Sequence, residues 1–248
     1  MENYLTIPTP QGLMDAFVSA PGDVHQAPVM VVLQEAFGVN SYIKDICRRF
    51  SALGFFAVAP ELYHRQGRHL QIPYNGRKLF QPLMAGLTNE SILSDVRSVM
   101  EFLPSLPEVD HQRIYIVGFC LGGFASALCA TEFTLKGAIS FYGAGMVRPR
   151  EGLNLTPFTE KLTQITCPSL FFFGGQDASI PPTDIIELRK FLEHQECIIK
   201  IFPQSDHGFF CHERKSYDPK ASAEAWKIIK DWLRIEDRWT DRQNNLSV

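Results

Sequence analysis

"RIYIVGFCLGGFASALCA", residues 113–130, is the stretch on which the fold turns. After Arg113 its first residues are apolar, with Ile114, Ile116 and Val117 β-branched, the composition of a buried strand. Leu121 to Thr131 are small and apolar and read as a helix. Between them stands a tight turn, Gly118-x-Cys120-x-Gly122. A strand that passes through one sharp turn straight into a helix is the unit from which parallel sheets are built.

The same alternation continues on both sides. "PVMVVL" (28–33) reads as a strand, followed by a helix with Ile43, Ile46, Cys47, Phe50 and Leu53 on one face, Ser41 as N-cap and Gly54 as stop. "FFAVAP" (55–60) is a strand, and 90–103 is a helix with Ile92, Val96, Val99 and Leu103 aligned. Strands are expected at 135–143, 168–175 and 197–203, with a helix at 182–195. Asp218 as N-cap and Pro219 at the first helical position open a final helix. Stretches 2–7 and 14–19 form a small antiparallel edge. The expectation is an α/β class protein, a mostly parallel sheet with helices on both faces in three layers. All 248 residues fit one domain, with a polar tail from about 236 that is expected to fray. Residues 61–88 break the rhythm. Long connections of this kind are more often functional than decorative.

Bulk properties narrow the function. The net charge of −3 points to neither nucleic acid nor an anionic membrane as partner. No apolar run is long enough to span a bilayer, and the start lacks a secretory pattern. Six cysteines without a C-x-x-C pair suit free thiols in a cytoplasmic setting. Seven scattered histidines give no metal motif, and no cofactor is expected. A monomer or weak homo-oligomer is anticipated.

The chemistry starts at Cys120. Glycines at 118 and 122 let strand and helix pack closely, so the thiol stands above the carboxyl ends of the strands, where open α/β sheets bind ligands. The N-terminus of the helix beginning at Leu121 favours a thiolate there and an oxyanion on the substrate. A nucleophile needs a base and the base an orienting acid. "GGQDASIPP" offers Asp177 after one strand, and "SDHGFF" offers His207 after the last. The order Cys120, Asp177, His207 follows the nucleophile–acid–histidine arrangement of this architecture. An oxyanion hole would use the backbone N–H of Leu121 and one from "QEAFGVN", that of Ala36.

"QEAFGVN" (34–40), "GFCLGG" (118–123), "GGQD" (174–177) and "HGFF" (207–210) together resemble the dienelactone hydrolase family of the α/β-hydrolase superfamily, over roughly residues 10–235. The resemblance implies the triad Cys120–Asp177–His207, an acyl-thioester on Cys120, and a role for Glu35 beside the resting thiol. A carboxylate there opposes the thiolate while charged, and accepts its proton if burial raises its pKa. The implied substrate is a small ester or lactone, carboxylate-bearing if Arg77 and Arg214 grip an anion. Family members proper carry one such arginine four residues after the histidine; here that position is Cys211, with Arg214 seven residues after. Phe37, Tyr142 and Phe209 are candidate apolar walls.

Plainer roles exist for each residue. Cys120 could be a small buried turn residue, Glu35 a cap for the helix near Ser41, and Asp177 a turn former. His64, His69, His111, His194 and His212 are expected in solvent, and Cys47 and Cys129 in the core. Rival functions are a broad carboxylesterase or thioesterase on the same triad, a non-catalytic binding protein, and a redox sensor pairing Cys120 with Cys211. Release of p-nitrophenol from its acetate, lost on alkylation, marks the enzyme; a peroxide-dependent disulfide marks the sensor.

Overall fold

The computed structural model describes residues 1–22, 25–193 and 196–245, with side chains except at Arg77 and beyond Arg234. Among these residues eight strands form one sheet: β1 (Glu2–Thr9), β2 (Gly12–Ser19), β3 (Ala27–Leu33), β4 (Phe56–Pro60), β5 (Val109–Phe119), β6 (Gly137–Phe141), β7 (Ser169–Gly174) and β8 (Cys197–Phe202). Their spatial order is β1-β2-β4-β3-β5-β6-β7-β8. β1 and β2 pair with each other, and β2 with β4, in antiparallel fashion; β4 through β8 are parallel. The central strands are buried along their length, which is why they read as continuous apolar runs.

Among the described residues six α-helices accompany the sheet: α1 (Ser41–Ser51), α2 (Arg77–Ala85), α3 (Asn89–Phe102), α4 (Leu121–Ala130), α5 (Pro182–Leu192) and α6 (Pro219–Asn245). α1 and α6 meet on one face, where Phe50 packs edge-on to Trp226 with centroids 5.2 Å apart. α3, α4 and α5 cover the other. The cap of α1 is Asn40 rather than Ser41: its Oδ1 accepts the Ile43 N–H at 3.2 Å. Asp218 caps α6 as expected, accepting from the N–H groups of Lys220 and Ala221 at 3.0 Å each. α6 continues through Asn245, past the point near 236 from which a polar tail was expected. The expected helix over 182–195 ends at Leu192, and His194 lies outside the described residues.

Two departures lie between β4 and α3. Residues 61–88 contain α2, a helix with Pro82 inside it. His64, expected in solvent, is buried. It bonds Asp95 at 3.1 Å, while Arg65 donates twice to the same carboxylate, at 2.8 and 2.6 Å. His69 is held on Glu61 at 2.8 Å. The segment rests on the loop after β3, with the Ile72 N–H bonded to the Phe37 carbonyl at 3.0 Å. It is also stitched to the loop after β6. Asn154 donates to the Ala85 carbonyl at 2.6 Å, and the Asn89 side chain both donates to and accepts from the Thr156 backbone, at 2.8 and 2.9 Å. No described helix is long and apolar enough to cross a membrane.

Candidate active site

Cys120 closes β5 and opens α4. Its backbone sits at φ 55°, ψ −111°, in the left-handed region that non-glycine residues rarely adopt. Two bonds hold it there: its N–H donates to the Phe141 carbonyl at 3.0 Å, and its own carbonyl accepts the Phe124 N–H at 3.1 Å. The turn is tight enough that a Cβ on Gly118 would run into the Gly122 carbonyl, and one on Gly122 into the carbonyl of Leu33. These contacts are why strand, turn and helix demand glycine on either side of the thiol.

His207 and Asp177 come from the loops after β8 and β7. The imidazole Nδ1 bonds Asp177 Oδ2 at 2.7 Å, and the other oxygen of Asp177 accepts the Ser179 N–H at 2.8 Å. The Ser216 hydroxyl, bonded to the His207 carbonyl at 2.7 Å, holds the histidine loop from behind. His207 couples by charge to Cys120. Burial works against the charged form of the thiol. The His207 imidazolium outweighs it, with help from Arg214, and holds Cys120 below its ordinary value. Burial likewise works against a cationic His207, but the facing sulfur and Asp177 raise it to about 10. The pair therefore favours thiolate with imidazolium.

Glu35 is fully buried and does not cap α1. Its Oε1 accepts from Arg214 Nη1 at 2.9 Å, while Oε2 has no partner among the described residues. Burial raises the Glu35 carboxyl, against the pull of the Arg214 and His207 cations. Arg214 is thus engaged with Glu35 rather than free to grip an anion. Ala36 and Leu121 line the cavity beside the thiol. As the first residue of α4, Leu121 has an N–H with no intrahelical acceptor. The Tyr63 hydroxyl donates to the Ala36 carbonyl at 3.1 Å and so fixes that loop.

A cavity of about 320 Å³ opens onto Cys120 and His207. Phe37, Phe80, Met84 and Phe124 form apolar parts of its lining, and Arg150, Glu151 and Arg214 polar parts. A larger, more open groove of about 860 Å³, running between Leu128, Phe158 and Phe191, contains none of these groups. Two expected wall residues are absent from the cavity. Tyr142 is buried with its ring 5.1 Å from the His207 ring, supporting the imidazole from behind. Phe209 is buried against Tyr142 and Phe202. Arg77 begins α2, and its side chain lies outside the described residues. Cys211 is buried and donates to the Tyr74 hydroxyl at 3.2 Å; burial pushes its thiol up to about 12, which disfavours the sensor reading. The motifs did not reveal Tyr63, Phe80, Met84 or Arg150. Tyr63, Phe80 and Met84 lie in the irregular segment 61–88, whose length alone hinted at a role, and nothing in the sequence pointed to Arg150.

The dienelactone hydrolase family model matches residues 14–236. The chain belongs to the dienelactone hydrolase family. A Synechocystis protein named "Putative carboxymethylenebutenolidase" is 35% identical over 236 residues, covering 94% of this chain and 96% of its own. A protein of the same name from Methylorubrum extorquens is 30% identical, with 92% and 79% covered. A crystal structure described as "Putative Dienelactone Hydrolase" from Klebsiella pneumoniae superposes with a TM-score of 0.84 at 29% identity, covering 94% of this chain and 98% of that one. As a dienelactone hydrolase family member the chain is an ester hydrolase of α/β-hydrolase fold, and its mostly parallel central sheet with helices around it matches the fold of the Klebsiella structure.

Proposed function

We propose that this dienelactone hydrolase family member opens small lactones or esters with Cys120 as nucleophile. The observation that carries the reading is a strained thiol at the mouth of a cavity, coupled to a histidine that an aspartate holds at 2.7 Å. The Cys120 thiolate attacks the carbonyl carbon, and the negative charge moves to the carbonyl oxygen, facing the N–H groups of Ala36 and Leu121. Collapse breaks the carbon–oxygen ester bond, and His207 gives its proton to the leaving alkoxide. The acyl group is then on sulfur as a thioester. His207, now neutral, takes a proton from water, whose oxygen attacks the thioester, and the carboxylic acid leaves as the thiolate re-forms. Asp177 keeps the ring oriented and supports its charged form. Glu35 and Arg214 set the field around the sulfur.

The test is a panel of small lactones and esters, with and without a carboxylate, turned over by wild type and Cys120→Ala. Hydrolysis is expected in wild type and absent in the variant, with one equivalent of iodoacetamide giving the same loss. Turnover by Cys120→Ala within tenfold of wild type overturns the assignment. The broader esterase or thioesterase reading gains from Arg214 being engaged with Glu35, which leaves that arginine no free head group for a substrate anion.

A further inference from the structure

The charges that line the cavity are not equivalent. His207 is bonded to Asp177 and coupled by charge to the thiol, and Arg214 is paired with Glu35. Arg150, on the loop after β6, also lines the cavity, and no carboxylate pairs with it among the described residues. It is half-buried. Its neighbour Arg148 is spent elsewhere, on Asp184 and Thr183. Glu151 borders the same cavity but is exposed, so solvent and salt screen its charge.

The stem of Arg150 runs alongside Gly145. Gly145 has φ +100°, and a Cβ built there would lie 3.4 Å from Arg150 Cγ, 3.5 Å from its Cδ and 3.6 Å from the ring of Phe124. The methylenes of Arg150 therefore lie across the Gly145 backbone, beside an aromatic ring that itself lines the cavity. A long cationic side chain with its stem along the backbone and an unpaired head is suited to bind an anion.

We propose that Arg150 is the residue that selects for a carboxylate on the substrate, in place of Arg214. The proposal rests on the hydrolase reading of the same cavity. The guanidinium offers parallel N–H donors, a geometry that fits a carboxylate in bidentate fashion. With the head group partly out of water, such a pair is worth about ten- to a hundredfold in affinity.

Two measurements separate this from the hydrolase reading itself. The first is calorimetric binding of 5-oxotetrahydrofuran-2-carboxylate and of its primary amide to Cys120→Ala protein, with and without Arg150→Ala. The acid is expected to bind more tightly than the amide, and that preference to fall tenfold or more when Arg150 is removed. Arg150→Lys recovers part of it, as a point charge without the bidentate fork. Arg148→Ala, outside the cavity, keeps the preference intact. The second is hydrolysis of the same two lactones by wild type and Arg150→Ala, where the kcat/KM ratio of acid to amide moves in step with the binding ratio. An acid preference that survives Arg150→Ala, or no preference in the parent protein, overturns the role of Arg150. Binding that follows Arg150 while Cys120→Ala still hydrolyses overturns the nucleophile and leaves the anion site standing.

Discussion

Removing Arg214 strands the Glu35 carboxylate, and the cost should depend on pH. Glu35 has no exposed side-chain surface, and its one bond is to Arg214 at 2.9 Å. In Arg214→Ala the carboxylate either stays ionised without a partner or takes up a proton. Breaking a buried pair from one side costs about 3–5 kcal/mol. Protonation caps the loss, because a carboxyl of ordinary value 4.5 costs about 1.4 kcal/mol per pH unit to neutralise, or about 4.8 kcal/mol at pH 8 and below about 1 kcal/mol at pH 5. The sign follows from the direction of the shift. A carboxyl raised on folding favours the folded state fully below its unfolded value, and this advantage is lost as pH rises through the folded value. Without Arg214 the folded value climbs further, so the variant should lose most of its stability on the alkaline side. Removing the other partner should cost less. Arg214 keeps 19% of its side chain exposed, so in Glu35→Gln water can reach the unpaired cation and the amide can still accept its N–H. Urea unfolding at pH 5 and pH 8 of wild type, Arg214→Ala, Glu35→Gln and the double variant measures all of this. Equal losses for Arg214→Ala at the two pH values, or a Glu35→Gln loss as large, would refute the stranded-charge account.

In the proposed mechanism Asp177 and His207 act as one unit, so His207→Ala should slow acylation by several orders of magnitude, Asp177→Ala by less, and the double variant little more than the histidine change alone; single-turnover acylation rates decide it. Iodoacetamide should alkylate Cys120 well below the ordinary thiol range, because His207 holds its proton to about 10. In Glu35→Gln the alkylation profile should move to lower pH still, since the Glu35 charge opposes the thiolate; superimposable profiles would show the two groups uncoupled. Gly118→Ala should fail to fold or lose several kcal/mol, on the order expected for backbone strain in a tight core turn, and a melting temperature within a few degrees of wild type would contradict the close approach to Gly122.

The parallel sheet was legible because its strands are buried on both faces and so appear as unbroken apolar runs. The thiol, its histidine and its aspartate were legible because each follows a strand end with turn residues beside it. The Glu35–Arg214 pair was not, since 179 residues separate the partners and nothing local marks the contact. α2 escaped notice because Pro82 interrupts its pattern. His64 looked like a loop residue, and only the tertiary approach of Asp95 buries it. Tyr142 and Phe209 sit at the right strand ends but turn inward, which residue type alone does not determine.

The stitches from Asn154 to Ala85 and from Asn89 to Thr156 tie the α2 side of the cavity to the loop that carries Arg150. Cys120, Asp177 and His207 hang instead from turns and loops after β5, β7 and β8, which the sheet holds independently. Divergence within such an enzyme is therefore expected to proceed by inheritance of a paired cassette. An insertion in one wall breaks the bonds to the other, so lineages that acquire a new substrate should alter residues 77–89 and 144–157 together while the thiol and its partners stay put. A chimaera that transplants both segments from a relative should fold and take that relative's preference, whereas one that transplants either alone should lose stability first.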